Sequence, residues 1–141
     1  MNDPRPAAGI LPETGDIDTA GFWEAAREGR LVARMCATCG AALHLPGAYC
    51  SECGSWEGRW EDLPGSGRLH SWTVVHHQVH PAYPVPYTIV LVDVDGVDGV
   101  RLIGRIAGEV DLRVDQPMQV WFEEVAEDVF LPQWRPLVVE G

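Results

Sequence analysis

Two closely spaced cysteine pairs constrain the fold more than any other feature of this 141-residue chain. Each pair forms a CxxCG motif, and the four cysteines are Cys36, Cys39, Cys50 and Cys53. Two residues between cysteines let both sulfur atoms reach one ion from a tight turn, and the following glycine allows that turn to close. The spacing predicts a zinc ion held by four thiolates, with iron as the alternative for the same ligands.

This predicted site leaves no position for a reacting water molecule. A catalytic zinc ion keeps one coordination position open, whereas four cysteines complete a tetrahedron. The ion is therefore predicted to stabilise a ribbon that is too small to fold alone, and to take no part in catalysis.

The N-terminal segment 1–16 is polar, acidic and rich in proline, and it lacks the basic start and apolar stretch of a secretory signal. No apolar run approaches the roughly 20 residues needed to span a bilayer. We therefore expect a cytoplasmic protein without a membrane partner, in which disulfide bonds are the weaker explanation of the cysteines. Residues 1–16 are predicted to form a mobile arm or to wrap around a partner.

The charge of the chain argues against nucleic acid as a partner. The formal net charge is −11, and all ten basic residues are arginines that are scattered along the sequence. Nucleic-acid binding draws much of its affinity from neutralised phosphates, and an acidic surface repels them.

Residues 17–62 are predicted to form one unit, a short helix followed by the cysteine-rich ribbon. The helix is expected over 17–29, with Asp18 or Thr19 as its N-cap and Gly29 at its end. Apolar residues three and four positions apart give this helix one apolar face.

The remaining residues, 63–141, are predicted to form a five-stranded OB-fold barrel, which makes the chain mainly β; a sandwich is the alternative. Alternating residues over 67–77 and 118–126 are typical of strands, and the apolar run 87–95 predicts a strand buried on both faces. The runs RLIGRI and FLPQWRP complete the five strands, and Pro132 marks the last one as an edge.

The first of these strands leads into a histidine-rich segment. Its alternation places Leu69 and Trp72 on opposite faces, and His76 and His77 likewise if the strand continues. A second metal site needs about three converging ligands, so a surface or interface role is expected. Acid–base catalysis by His76 or His77 is the weaker alternative.

No catalytic residue is predicted. The chain has no GxSxG, P-loop or GxGxxG motif. The acidic run of Glu123, Glu124, Glu127 and Asp128 is interpreted as a solvated rim, because nothing fixes the spacing of its carboxylates.

Six tryptophans are many for a chain of this length. A small barrel cannot bury all of them, because each is large and carries an N–H group that needs a partner. Several of them are expected to line a groove or an interface together with Tyr83 and Tyr87.

The order of these motifs resembles the family called domain of unknown function 35, or DUF35, an OB fold with a rubredoxin-like zinc ribbon. The resemblance rests on the helix FWEAAREGRL, the two CxxCG motifs, the strand SWTVVH and the closing LPQWRP, and it covers residues 19–136. It implies an accessory subunit of a thiolase-like enzyme, such as the lipid-transfer-protein-like aldolases that cleave side chains of sterol-derived acyl-CoAs.

In such a hetero-oligomer the partner holds the catalytic residues, and the small subunit stabilises it and helps to form the acyl-CoA path. Cations are expected where CoA phosphates bind. The residues predicted for a partner or acyl-CoA surface are Phe22, Trp23, Arg30, Trp72, His76, His77, Tyr83, Tyr87, Arg101 and Arg105. A free-standing acyl-CoA-binding protein is one alternative, and an OB-fold nucleic-acid binder, disfavoured by charge, is another.

Overall fold

The computed structural model describes residues 8–138, so residues 1–7 of the predicted arm lie outside the described part. The elements in chain order are α1 (Ala20–Arg27), β1 (Val32–Cys36), β2 (Gly58–Asp62), β3 (Ser66–Val75), β4 (Tyr87–Val94), β5 (Arg101–Ala107), β6 (Pro117–Ala126) and β7 (Val129–Pro136). None of the described helices has the length and apolar character needed to cross a membrane.

Strands β1 and β2 form a two-stranded ribbon, and the other five strands form one antiparallel sheet in the order β5-β4-β3-β6-β7. The predicted five-stranded OB fold is confirmed, and Pro132 lies on the edge strand β7 as expected. The two edge strands, β5 and β7, are linked by a side-chain hydrogen bond, in which Gln133 Oε1 accepts from the backbone amide of Arg105 (2.7 Å). No backbone ladder pairs β5 with β7 within the described residues, so main-chain hydrogen bonds do not close the barrel.

The core lies on the inner face of this curved sheet, where Trp134, Met118 and Val90 are fully buried. Strand β4 differs from the prediction of burial on both faces, since Ile89 and Leu91 on its outer face are only half-buried. Helix α1 packs on β7 and β1 and so does not cover β4, which explains the difference.

A β-bulge in β3 reverses the predicted alternation. The register shifts between Leu69 and Ser71, so that Leu69 lies opposite Val92 while Trp72 lies opposite Val90. Because an extra residue moves the following side chains to the other face, Leu69 and Trp72 share one face. The prediction that they lie on opposite faces was wrong.

Helix α1 is shorter than the predicted range 17–29. The Asp18 amide donates to Asp16 Oδ1 (2.8 Å) in a turn before the helix, and Thr19 takes the N-cap position without a side-chain hydrogen bond. Ala25 and Ala26 are buried, which confirms the predicted apolar face.

A substitution of Gly104 by alanine is expected to lower the free energy of unfolding by about 1–3 kcal/mol, the usual cost of overpacking. A Cβ atom at this position would lie 2.9 Å from the backbone nitrogen of Trp134, so strands β5 and β7 would have to separate. Urea denaturation measures the change. Gly47→Ala is the matched control, because no atom lies within 4 Å of its new Cβ. Equal stability of both variants would contradict the expectation.

Candidate metal centre and aromatic groove

The ribbon brings the four cysteine sulfur atoms to within 4.8 Å of one another. The Sγ atoms of Cys36 and Cys53 are 3.7 Å apart, and those of Cys39 and Cys50 are also 3.7 Å apart. A tetrahedral zinc ion with bonds of ~2.3 Å places its sulfur ligands ~3.8 Å apart. The residues present therefore fit one tetrahedral metal ion.

Two similar turns hold these sulfur atoms. Gly40 and Gly54 adopt left-handed φ values of 78° and 76°, as expected for glycines that close the two motifs. Their amides donate to the carbonyl groups of Cys36 (3.0 Å) and Cys50 (2.8 Å). Each cysteine pair therefore sits on a turn that the backbone itself stabilises.

The thiols of this site differ in acidity. The Cys39 amide lies 3.5 Å from the Cys36 sulfur and lowers the pKa of that thiol to about 6. The Ala41 amide acts to lower the pKa of Cys39, but loss of hydration and the neighbouring sulfur atoms raise it to about 12. The Ser55 amide likewise opposes a rise, yet loss of hydration and Cys36 raise the pKa of Cys53. Four thiolates can coexist here only with a cation between them.

Zinc binding at pH 7.5 is therefore expected to release the protons that Cys39 and Cys53 keep near neutral pH. Since protons compete with the metal for sulfur, the affinity should fall as the pH falls towards 6 and the Cys36 thiolate is lost as well. Calorimetric titration of metal-depleted protein with zinc, in buffers of different ionisation enthalpy, counts the released protons. Proton release that is absent at pH 7.5, or an affinity independent of pH, would contradict this expectation.

A groove of about 450 Å³ lies between α1, the loop before β4, and strands β4, β5 and β7. Five residues predicted for a partner or acyl-CoA surface line it: Phe22, Trp23, Tyr83, Tyr87 and Arg105. The structure thus brings together five of the ten predicted surface residues where the edge strands β5 and β7 come together. We call this site the aromatic groove.

Arg105 is the cation of the aromatic groove. Its guanidinium carbon lies 5.3 Å from the Tyr83 ring centroid and 5.8 Å from that of Tyr87, within range of a cation–π interaction. The Ile10 amide donates to the Tyr83 hydroxyl (2.9 Å), so the described part of the arm helps to position this ring. Within residues 8–138, Arg105 forms no ion pair with a carboxylate.

Sequence reasoning missed several apolar residues of the groove. Ile103 lies on β5 between two arginines, and Leu131 comes from β7. The alternation of β5, which gives Arg101, Ile103 and Arg105 the same face, was a signal that could have included Ile103. No residue pattern within either strand indicates that β7 lies beside β5.

Two other predicted arginines already have carboxylate partners. Arg101 contacts Asp93 at 2.7 Å and holds the pKa of that carboxyl below its ordinary value. Arg30 pairs with Glu28 (3.4 Å) and with Asp62. Neither side chain lies in the aromatic groove.

The remaining predicted residues also lie elsewhere. Trp72 is on β3, and His76 and His77 are exposed in the segment after it. Within the described part of the chain, the cysteines are the one group of His, Cys, Asp or Glu side chains that could hold a metal.

The acidic run spans the end of β6, which holds Glu123 and Glu124, and the turn to β7, which holds Glu127 and Asp128. Three of its carboxylates are exposed, as the solvated-rim interpretation expects: Glu124, Glu127 and Asp128. Glu123 is half-buried, and its Oε1 accepts a hydrogen bond from the side-chain Nε2 of Gln133 (3.2 Å).

Comparison with known proteins gives matches to both parts of the chain. Residues 23–57 match the model of the rubredoxin-like zinc ribbon domain of ChsH2, and residues 60–123 match that of the C-terminal OB-fold domain of ChsH2. A chain in the solved structure of an "Ltp2-ChsH2(DUF35) aldolase" is 32% identical, with a TM-score of 0.81, and the match covers 90% of this chain and 100% of that one. The chain belongs to the ChsH2 family. The resemblance to DUF35 is thereby confirmed.

Two further proteins are similar to this chain. A "Probable enoyl-CoA hydratase alpha subunit" of Thermomonospora curvata is 36% identical over 96% of this chain, which spans 40% of the length of that curated relative. A DUF35 protein of unknown function from Sulfolobus solfataricus shares the fold at 15% identity, with a TM-score of 0.57 over 77% of this chain and 80% of that one. The division at residues 62 and 63 stays a prediction.

Proposed function

We propose that this chain is a non-catalytic accessory subunit of a thiolase-like enzyme that acts on acyl-CoA. The observation that carries the proposal is the match to a chain of the solved Ltp2-ChsH2(DUF35) aldolase, which extends over the whole of that chain. In this proposal the partner is an aldolase of the lipid-transfer-protein-like kind, and its substrates are acyl-CoAs with a sterol-derived side chain.

The residues of this chain support a division of labour between the two subunits. Its described residues combine a fold-stabilising cysteine site with the aromatic groove, and no motif for a nucleophile or a phosphate loop occurs in the sequence. The partner would break the carbon–carbon bond, while this subunit stabilises the partner and helps to form the acyl-CoA path. Arg105 and the tyrosine rings beside it are the groups of the groove best suited to an anionic or apolar surface.

The metal in this proposal is zinc, held by Cys36, Cys39, Cys50 and Cys53. Zinc supplies the charge that keeps four thiolates ionised, and it thereby folds the ribbon. Because free thiols persist in a reducing compartment, the proposal places the protein in the cytoplasm.

A free-standing acyl-CoA-binding protein is the second candidate function. The groove favours it, because an apolar cleft with one convergent cation is a common form of ligand site. Calorimetry of the isolated chain with a long-chain acyl-CoA separates the two functions. Tight binding by the isolated chain supports the second candidate, and no heat of binding supports the first.

Co-expression with the thiolase-like proteins of the same organism tests the main proposal. One of them is expected to co-elute with this chain in size-exclusion chromatography as a complex of fixed stoichiometry. A catabolic thiolase from a different organism serves as the control and should elute separately. If no thiolase-like protein of the organism forms a complex, the proposal fails.

A further inference from the structure

The outer edge of β5 has main-chain groups that face the aromatic groove. The Val94 amide donates to the Val100 carbonyl, and the register continues from there with Val90 opposite Gly104. In an antiparallel pair, hydrogen-bonded positions alternate with positions whose N–H and C=O point away from the partner strand. Ile103 is one of the outward positions.

The neighbouring outward position confirms this alternation. The Arg105 amide donates to the Gln133 side chain, on the side away from β4. At Ile103, the next outward position along β5, the amide and the carbonyl make no hydrogen bond to residues 8–138. The main-chain edge of β5 is therefore open at Ile103.

The side chain at this opening is itself uncovered. Ile103 is 66% exposed although it lies in the middle of a strand and lines an otherwise apolar groove. An open edge with an apolar side chain is a surface to which extended segments of other chains pair.

The charge beside the opening indicates what kind of segment fits. Arg105 lies one outward position from Ile103 on the same face and has no carboxylate partner within residues 8–138. One cation on a protein of net charge −11 matches a single carboxylate better than the several phosphate charges of CoA. CoA is therefore the less suitable occupant of this position.

We propose that an extended segment of the thiolase-like partner docks in the aromatic groove. It pairs with the main chain of Ile103 and presents an aspartate or glutamate to Arg105. Its apolar side chains pack against Trp23 and Tyr87, which line the groove beside β5. This inference rests on the proposed function, and it adds the contact surface and the chemistry of the segment.

The test uses the complex of the full chain with its thiolase-like partner. Ile103→Pro removes the outward amide while proline stays compatible with an edge strand, and Arg105→Glu reverses the cation. Each is expected to raise the dissociation constant at least about tenfold, the effect of losing roughly one to two hydrogen bonds or one charged pair. Ile103→Val keeps the amide and should lose only a few-fold.

Val114→Ala is the matched control outside the groove, because Val114 is equally exposed at 66%. Its affinity for the partner should equal that of the parent chain. In the parent chain, amide hydrogen exchange at Ile103 should be fast when the chain is alone and at least about tenfold slower in the complex. This measurement needs no variant, so misfolding of Ile103→Pro would not weaken the test.

The outcomes separate this inference from the proposed function. A complex that forms with unchanged exchange at Ile103 and unchanged affinity of Arg105→Glu overturns the docking inference and leaves the accessory function standing. Slowed exchange at Ile103 on addition of a long-chain acyl-CoA to the isolated chain would show that the groove binds the ligand, and it also overturns the inference. If no thiolase-like protein forms a complex, both proposals fall.

Discussion

Cys39→Ser is expected to abolish tight zinc binding and to unfold the ribbon, with a loss on the order of 10 kcal/mol of metal-linked folding energy. The Cys39 sulfur lies 3.7 Å from that of Cys50, so its removal takes one corner from the ligand tetrahedron. The remaining three thiolates hold the ion weakly, and β1 and β2 alone are too small to fold without it.

The metal content of purified protein and the fluorescence of the ribbon tryptophans measure this loss. Glu52→Gln is the matched control, because Glu52 lies exposed between two cysteines and its substitution leaves all four sulfur atoms in place. The control should bind one zinc ion per chain and show the parent fluorescence. Cys39→Ser protein that lacks metal yet retains a folded ribbon would refute the structural role of the ion.

Trp134→Ala is expected to lower the free energy of unfolding by about 3–5 kcal/mol, the usual cost of removing a large buried side chain. Trp134 is fully buried on β7 and packs in the core with Leu69 and Met118. The cavity left by the indole ring would lie where β7 approaches β5, so the packing between these two strands should weaken as well.

Urea denaturation in saturating zinc measures this change, since the metal then holds the ribbon constant. Trp121→Ala on the adjacent strand β6 is the control, because Trp121 is only half-buried and should cost clearly less. A loss of stability for Trp134→Ala no larger than that of the control would contradict the assignment of Trp134 to the core.

The metal centre was predictable from the sequence because its determinants are local. The CxxCG spacing alone specifies two turns that direct sulfur atoms to one point, and Gly40 and Gly54 adopt the required left-handed conformation. The strands of the sheet were predictable for the same reason, since side-chain alternation depends on neighbours in sequence. The β-bulge after Leu69 was not, because an extra residue leaves no periodic pattern.

The aromatic groove was predictable only in part. Tyr83, Tyr87 and the helix aromatics could be proposed from composition, but the contact between Gln133 and Arg105 joins residues 28 positions apart. The role of each arginine also depends on contacts that its own strand does not specify. Arg101 is neutralised by Asp93 across a strand pair, whereas Arg105 lies between two tyrosine rings.

The central claim is that this chain supports the catalysis of another protein. The direct measurement is cleavage of a 3-hydroxyacyl-CoA by the purified thiolase-like partner, by this chain, and by both together. We predict no cleavage by this chain alone, and a partner that is soluble and fully active only when this chain is present. Cleavage by this chain alone, or a partner that is equally soluble and active without it, would contradict the claim.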